Sequence, residues 1–174
     1  MSRSMTYQYK VVVLGDGGVG KTTLILRYTE KRFRENYIPT IGVQWTVKEI
    51  DRDQTHIKLL LWDLAGQAHF KSVRKGFYEG SNAAIIVFDV TDLDSLNHVG
   101  DWLLELQNNC GEVPCFLLGN KIDLVDERKV TKDMVTGFKM AYFETSAKTG
   151  ENVLELFNSV ITSLQKKYPS NCKT

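Results

Sequence analysis

The sequence predicts an α/β fold with a six-stranded, mostly parallel sheet, one antiparallel edge strand and about five flanking helices. Apolar runs of strand length alternate along the chain with segments of helical periodicity, the pattern of a doubly wound sheet. Two of the runs, Ala83–Asp89 and Val113–Leu118, are continuously apolar, as strands covered on both faces are. No repeat, low-complexity tract or linker divides the 174 residues, so we expect one domain over residues 1–174.

The N-terminal half predicts a strand, a helix and a hairpin. Tyr9–Leu14 is a short β-branched run, and Lys21–Tyr28 predicts the helix that follows it. Val43–Ile50 and Thr55–Trp62 alternate or run apolar on either side of Asp51–Gln54, which predicts a hairpin turn. This hairpin supplies the antiparallel edge strand.

The C-terminal half predicts three helices and a brief strand. Ser95–Gln107 carries apolar residues at helical spacing, and Asn152–Lys167 has an apolar stripe along its whole length. Between them, Thr131 is a candidate N-cap for a helix over Lys132–Lys139, and Tyr142–Glu144 is a short strand. Ligands of such sheets bind beyond the carboxyl ends of the strands, where each motif below falls.

Charge and composition exclude several classes of protein. The 22 basic and 21 acidic side chains leave a net charge of +1, whereas a surface for nucleic acid needs a basic excess. The longest apolar runs are too short to cross a bilayer, and the N-terminus lacks the apolar stretch of a secretory signal. The three cysteines and three histidines show no disulfide or zinc spacing. We therefore expect a cytoplasmic protein with no nucleic-acid partner.

A glycine-rich loop after the first strand predicts a phosphate site. Its sequence, GDGGVGKT over Gly15–Thr22, fits GxxxxGK[ST] between a strand and a helix, although a simple glycine-rich turn is the alternative. Glycines let backbone N–H groups converge on an anion, while Lys21 supplies a point charge and the Thr22 hydroxyl is a Mg²⁺ ligand. The motif predicts a nucleoside triphosphate without choosing its base. The expected phosphate contacts are Gly15, Asp16, Gly17, Gly18, Val19, Gly20, Lys21, Thr22 and Thr23.

Three further segments, together with this loop, carry a resemblance to a known family. They are Asp63–Gln67 (DLAGQ), Asn120–Asp123 (NKID) and Glu144–Lys148 (ETSAK). The chain resembles the small GTPases of the Ras superfamily over nearly its whole length, with the family's motifs in order and at their usual separations. The resemblance implies a P-loop NTPase that binds GTP and GDP with Mg²⁺ and hydrolyses GTP slowly.

The chemistry of guanine explains the residues of the last two segments. Guanine presents an N1–H and an exocyclic amine side by side, and the Asp123 carboxylate can accept both, whereas adenine would leave it unpaired. By resemblance, Asn120 ties the base loop to the phosphate loop, the Lys121 stem lies along the base, and the Ala147 N–H meets O6. The alternatives are an ordinary surface loop and a Ser/Thr cluster at a helix entry. Further nucleotide contacts implied by the resemblance are Phe33, Tyr37, Ser146 and Lys148.

The resemblance also implies a magnesium site and two switch loops. Thr22 and Thr40 match the family's hydroxyl ligands, and Asp63 matches the carboxylate that holds Mg²⁺ through water. A γ-phosphate gives Thr40 and the Gly66 N–H a contact that orders both loops, and hydrolysis removes that contact. For Thr40, the alternative is a turn residue after Pro39.

Hydrolysis is assigned by resemblance to three residues. Gln67 orients the attacking water, while Lys21 and Gly66 act at the phosphate. The arginines near the first switch loop, Arg32 and Arg34, match no family position for an arginine that completes the site in cis. We therefore expect slow intrinsic turnover that depends on a GTPase-activating protein.

Within the superfamily, the chain is most similar to the Rab branch. Trp45, Trp62 and Phe77 fall at the positions of the aromatic triad that Rabs show to effectors, and with Ile41 they are the predicted partner contacts. The alternative for this cluster is ordinary sheet packing.

Several positions depart from the Rab pattern. Trp45 replaces the usual phenylalanine, and Leu64 replaces the usual threonine. Ala68-His69 replaces the usual Glu-Arg, which removes the glutamate that pairs with the phosphate-loop lysine during nucleotide exchange. Cys172 is third from the end, which is not a CaaX position. We expect membrane association only if a lipidated tail is missing from this chain.

These observations predict a monomeric, GTP-controlled switch in vesicle trafficking. Its two switch loops would bind a GTPase-activating protein, an exchange factor and effectors, in the cytoplasm or on the cytoplasmic face of membranes. The alternatives are a nucleotide-bound scaffold with little turnover and a Ras-like switch outside trafficking. A P-loop kinase or ATPase would need a lid and a substrate insertion that the sequence does not contain.

Overall fold

One sheet of seven strands appears in a computed structural model of the protein, which describes residues 5–36, 38–52, 54–169 and 172–173. The strands are β1 (Met5–Leu14), β2 (Val43–Arg52), β3 (Thr55–Leu64), β4 (Ala83–Asp89), β5 (Cys115–Asn120), β6 (Ala141–Thr145) and β7 (Cys172–Lys173). They lie in the order β2-β3-β1-β4-β5-β6. The β2–β3 hairpin is antiparallel, and the remaining neighbours in this order are parallel. The predicted six-stranded sheet with one antiparallel edge strand is confirmed.

The seventh strand is an addition that the sequence analysis does not predict. It pairs antiparallel with β1, Thr6 opposite Lys173 and Tyr7 opposite Cys172. The backbone of Cys172 therefore lies beside the start of β1, at the end of the sheet opposite the phosphate loop.

Five α-helices accompany the sheet in the described part of the chain. They are α1 (Lys21–Glu30), α2 (Lys71–Arg74), α3 (Leu93–Asn97), α4 (Val99–Cys110) and α5 (Val153–Lys167). The helix predicted over Ser95–Gln107 is divided at His98, which ends α3 and precedes α4. It also begins earlier than predicted, because the Asp92 carboxylate caps α3 by accepting the Asp94 N–H.

The prediction of a helix over Lys132–Lys139 is wrong. Only Lys132–Val135 is helical, as a 3₁₀ turn, and Thr131 makes no side-chain cap. The next turn is also tight, with the Phe138 N–H donating to the Val135 carbonyl three residues back. Gly137 adds backbone entropy to the cost of helix formation, which disfavours continuing the turn as an α-helix to Lys139.

The strand predicted over Val113–Leu118 is displaced by two residues, to β5. Pro114 has no N–H to donate to the sheet, so regular pairing starts at Cys115. The strand then continues to Asn120, which pairs with Asp89 on β4 and Thr145 on β6. The first residue of the NKID segment is therefore held by the sheet itself.

Hydrophobic cores lie on both faces of the sheet. On one face α1 and α5 cover the strands, and Tyr28 stacks on Phe157 with ring centroids 3.8 Å apart. On the other face α4 packs over β4 through Leu106 and its apolar neighbours. Successive side chains of β1 alternate between the two cores, as the pleat requires. Among the described residues, none of the helices combines the length and apolarity of a membrane span.

Candidate functional site

The phosphate loop connects the end of β1 to α1, and two of its glycines are required by close packing. Gly15 has φ of 138° and Gly20 has φ of 102°, in the left-handed region that favours glycine. A Cβ on Gly15 would overlap the Val87 carbonyl oxygen, and one on Gly20 would overlap the Asn120 amide nitrogen. The loop therefore lies directly against β4 and against the NKID segment.

Lys21 places its ammonium group inside this loop. It is 6% exposed, and its Nζ donates to the carbonyl oxygens of Gly15 at 2.7 Å and Asp16 at 2.8 Å. Burial lowers the pKa of Lys21 to about 8, although the nearby Asp63 and Asp16 carboxylates oppose this shift. The loop thus holds a partly desolvated cation that an anionic ligand would stabilise.

Three oxygen-bearing side chains meet beside the phosphate loop. The hydroxyl oxygens of Thr22 and Thr40 lie 2.7 Å apart, and both hydroxyls donate to Asp63 Oδ2, that of Thr40 over 3.2 Å. Asp63 Oδ1 is buried and has no hydrogen-bond partner within the described residues. Burial raises the pKa of Asp63, against the opposing effects of Thr22 and Lys21. Two hydroxyls and an unpaired carboxylate oxygen fit the oxygen ligands that Mg²⁺ prefers.

The NKID segment joins the phosphate loop to the end of β6. Asn120 Nδ2 donates to the Val19 carbonyl at 3.0 Å, and Asn120 Oδ1 accepts from the Thr145 hydroxyl and the Ala147 N–H, both at 3.1 Å. The Ala147 N–H, expected to meet guanine O6, thus has an acceptor within the protein. Lys121 Nζ donates to the Gly18 carbonyl at 2.7 Å. The two predicted segments and the phosphate loop therefore form one assembly.

Asp123 faces a cavity of about 340 Å³ beside this assembly. Its Oδ1 accepts a 2.6 Å hydrogen bond from the hydroxyl of Ser146, which is itself fully buried. Ser146 therefore orients the carboxylate from behind rather than lining the cavity. Predicted contacts that do line it include Gly18, Gly20, Thr23, Phe33, Lys121, Ala147 and Lys148. Tyr37 lies outside the described residues.

The second switch loop, residues 65–82 between β3 and β4, lies against the phosphate loop. A Cβ on Gly66 would overlap the backbone of residues 15 to 17, so the two loops are in direct contact. Gln67 lies close to Gly17, since a Cβ built there would be 3.6 Å from the Gln67 amide. The Gln67 Oε1 atom is buried without a hydrogen-bond partner in the described part of the protein. A buried acceptor without a partner therefore lies beside the phosphate loop.

A buried ion pair holds the backbone on both sides of Gly66. Arg74 Nη1 donates to the carbonyl oxygens of Ala65 at 2.8 Å and Gln67 at 2.9 Å. The same guanidinium donates to both carboxylate oxygens of Glu105 on α4, at 2.9 and 3.1 Å. Tyr78 donates a third hydrogen bond to this carboxylate at 2.7 Å. Burial raises the pKa of Glu105, but the bonds from Arg74 and Tyr78 outweigh that effect and lower it.

The predicted partner contacts form an aromatic row on β2, β3 and the second switch loop. The ring centroids of Trp45 and Trp62 are 6.4 Å apart, and those of Trp62 and Phe77 are 5.7 Å apart. Trp45 is 61% exposed and Ile41 is 79% exposed, so the row continues onto an open apolar surface.

Several residues of the site were missed in the sequence analysis. Arg74 and Glu105 lie far apart in the sequence. The one sequence signal for their ion pair was Glu105 itself, a charged residue on the inner face of the helix predicted over Ser95–Gln107. Asp89 accepts from Lys121 Nζ at 2.7 Å, yet it appears only as the last residue of an apolar strand. Asp16, a predicted phosphate contact, directs its carboxylate to His98 and Trp102 instead.

Comparisons with known proteins agree with this geometry. The sequence model of the Ras family matches residues 10–166. The Ras-related protein Rab-1 of Theileria annulata is 40% identical over 177 aligned residues, covering 97% of this chain and 80% of that protein. The GTP-binding protein ypt1 of Schizosaccharomyces pombe is 36% identical, covering 98% and 87%, and Rab-13 of Mesocricetus auratus is 37% identical, covering 96% and 85%. The chain belongs to the Ras family and is a small GTPase of its Rab branch.

Proposed function

We propose that the protein is a GTP- and GDP-controlled binding switch in vesicle trafficking, acting as one monomeric domain over residues 1–174. The observation that carries this proposal is the meeting of both switch loops at the phosphate loop. Thr40, from the first switch loop between α1 and β2, contacts Thr22, while Gly66, from the second, packs on residues 15 to 17. A change in the number of phosphates at this point would reach both loops at once.

Selection of guanine is proposed for Asp123. Its carboxylate faces the cavity and accepts from the Ser146 hydroxyl, the one donor to it among the residues that the structure describes, so its other lone pairs remain for the N1–H and exocyclic amine of guanine. Adenine offers no such donor pair and would leave a partly buried carboxylate unpaired. Mismatches of this kind discriminate by roughly 10⁴-fold.

For hydrolysis, we assign the orientation of water to Gln67 and the binding of the phosphate oxygens to Lys21. A Mg²⁺ ion held by Thr22, Thr40 and Asp63 would neutralise charge on the phosphates. Gln67 has a buried, unpartnered amide oxygen that can accept a hydrogen bond from the attacking water and so orient it. Lys21 exchanges its two loop carbonyls for phosphate oxygens, and the Gly66 N–H donates beside it. The absence of a matching arginine in cis leaves slow turnover that a GTPase-activating protein would accelerate.

We assign the effector surface to the aromatic row with Ile41, in which Trp45 and Ile41 are exposed and Trp62 and Phe77 are half-buried. It adjoins both switch loops, since Ile41 directly follows Thr40 and Phe77 lies in the second switch loop. An effector that binds this surface would therefore bind it differently in the two nucleotide states. The trafficking role is proposed from the similarity to the Rab relatives.

Calorimetry and hydrogen exchange test the proposal together. Titration in magnesium buffer should give tight binding of GTP and GDP and at least about 10³-fold weaker binding of ATP. Hydrogen exchange should then show both switch loops better protected with a non-hydrolysable GTP analogue than with GDP. Thr40→Ala should lose that protection in the first switch loop, whereas Thr46→Ala on β2 serves as the control. Equal affinity for ATP and GTP, or equal protection in both states, would contradict the proposal.

A further inference from the structure

Asp16 is held through both oxygens of its carboxylate by His98, the residue that precedes α4, and by Trp102 in the first turn of that helix. Its Oδ2 lies 2.6 Å from His98 Nδ1, and its Oδ1 accepts a 2.8 Å hydrogen bond from Trp102 Nε1. The two partners are four residues apart, so they lie one above the other on the same face of the helix. A residue of the phosphate loop is thereby tied to a helix outside the nucleotide cavity.

This attachment reaches the groups that face the phosphates. The carbonyl oxygen of Asp16 accepts from Lys21 Nζ at 2.8 Å, so the same residue contacts α4 by its side chain and the ammonium group by its backbone. The Asp16 backbone also lies against Gly66. A displacement of Asp16 would therefore move an acceptor of Lys21 and a contact of the second switch loop.

Trp102 supports both loops at once. Its side chain is almost completely buried, and the Arg74 guanidinium stacks on the indole, 4.5 Å from the ring centroid. Arg74 in turn donates to the carbonyls of Ala65 and Gln67. One indole thus donates to the phosphate loop through its nitrogen and carries the arginine of the second switch loop on its face.

We propose that His98 and Trp102 are positioning residues for the phosphate loop, and that the charge on His98 sets how long the protein retains its nucleotide. The inference rests on the proposed function, because it requires this loop to bind the phosphates. A protonated His98 makes a charge-assisted bond to Asp16, whereas the neutral ring makes a weaker bond. Trp102 holds the loop in both states.

The direction of the effect follows from the groups that face the imidazole. The hydrogen bond that the imidazole donates to Asp16 raises the pKa of His98 above its ordinary 6.5, and the charges of Asp16, Asp101 and Asp94 act in the same direction. The ion pair is therefore complete below pH 6.5 and is lost as the pH rises through the raised value. His98 is half-exposed, which limits the effect. We expect GDP release to become about two- to fivefold faster across that range.

Release of a fluorescent GDP analogue, followed in magnesium buffer from about pH 5.5 to 8, tests this inference. The His98→Asn variant keeps a donor near the position of Nδ1 but cannot titrate, so the ratio of wild-type to variant release should rise with pH. Titration of the nucleotide itself affects release from both proteins equally, so it does not change this ratio. His98→Leu should release GDP at least as fast as the alkaline wild type at every pH. Trp102→Phe keeps the ring under Arg74 and loses the donor, so release should be about tenfold faster while the pH response remains.

The matched control is His56→Asn, because His56 makes a similar 2.7 Å bond to Asp51 on the β2–β3 hairpin. It should keep the full pH response. As a second measurement, Asp16→Asn should lower the pKa of His98 measured by NMR. Two results would overturn this inference alone. One is a wild type that binds GDP tightly but whose release rate, divided by that of His98→Asn, does not change with pH. The other is an unchanged His98 pKa in Asp16→Asn. Failure of the wild type to retain any nucleotide would overturn the proposed function as well.

Discussion

Asn120 Nδ2 donates a 3.0 Å hydrogen bond to the carbonyl oxygen of Val19, joining the base and phosphate halves of the site. The other end of the same amide accepts from Thr145 and Ala147 at the end of β6. Asn120 is 1% exposed, so these bonds have no competition from bulk water. Asn120 thus links the two halves of the nucleotide site, beside the bond from Lys121 Nζ to the Gly18 carbonyl.

Replacing Asn120 with alanine should loosen both halves. The Val19 carbonyl and the Thr145 hydroxyl would remain buried without their partner, at about 1–3 kcal/mol for each group left unpaired. We expect GDP release at least about tenfold faster, and a lower free energy of unfolding in urea titrations. Asn108→Ala, at an exposed position of α4, is the control. Wild-type release from Asn120→Ala would show that the loops do not depend on this link.

Asp123→Asn should change the preferred base. The amide presents a donor where the carboxylate had an acceptor, which suits the carbonyl oxygen that xanthine has in place of the guanine amine. We therefore expect weaker binding of GDP and tighter binding of xanthosine diphosphate, measured by competitive titration. The exposed Asp126→Asn should leave the preference unchanged. An unaltered preference for guanine would remove Asp123 from base recognition.

Local motifs predicted most of this site because their physics is local. The glycines, Lys21 and Thr22 act within one strand–loop–helix unit, and the NKID segment directly follows a buried strand. A parallel sheet brings such strand ends to one edge, so their convergence followed from the fold class. The same reasoning located α5 correctly, because its apolar stripe extends over four turns.

What the sequence could not predict depends on contacts between distant segments. The Arg74–Glu105 pair and the Asp16–Trp102 bond each require the position of α4 relative to a loop, which no periodicity encodes. The wrong prediction of a helix over Lys132–Lys139 has a different cause. Its propensity was weak, and backbone hydrogen bonds to nearer carbonyls satisfied the segment as 3₁₀ turns.

Gln67→Leu should slow hydrolysis while leaving nucleotide binding nearly intact. The leucine fills similar space beside Gly17 but cannot accept a hydrogen bond from water. We expect the single-turnover rate to fall by about tenfold or more, with little change in the GTP dissociation constant. Gln107→Leu, on the exposed side of α4, should behave as the wild type. Equal turnover of the two variants would exclude Gln67 from the mechanism.

GTP affinity should fall above about pH 8 because of Lys21. Burial lowers the pKa of this ammonium group to about 8 in the free protein, and phosphates would restore the charged form. Binding above that pH must therefore take up a proton, and affinity should weaken by up to about tenfold per pH unit. Calorimetry in buffers of different ionisation enthalpy measures this uptake directly. Lys21→Arg, which stays charged, should bind without it; equal uptake in both proteins would contradict the assignment.

Removal of the Glu105 carboxylate should destabilise the fold. It should also slow hydrolysis, because Glu105 holds the Arg74 guanidinium that donates to the carbonyls of Ala65 and Gln67. Glu105→Ala leaves the 2%-exposed guanidinium without its counterion, which costs about 3–5 kcal/mol in urea unfolding of the GDP-bound protein. A Glu105→Leu/Arg74→Met double variant replaces the pair with apolar groups and should regain most of that stability. It still lacks the donors to Ala65 and Gln67, so its single-turnover rate should remain low. Glu155→Ala, at an exposed position of α5, is the control for loss of a carboxylate. A wild-type rate of turnover in the double variant would show that Arg74 contributes to stability alone.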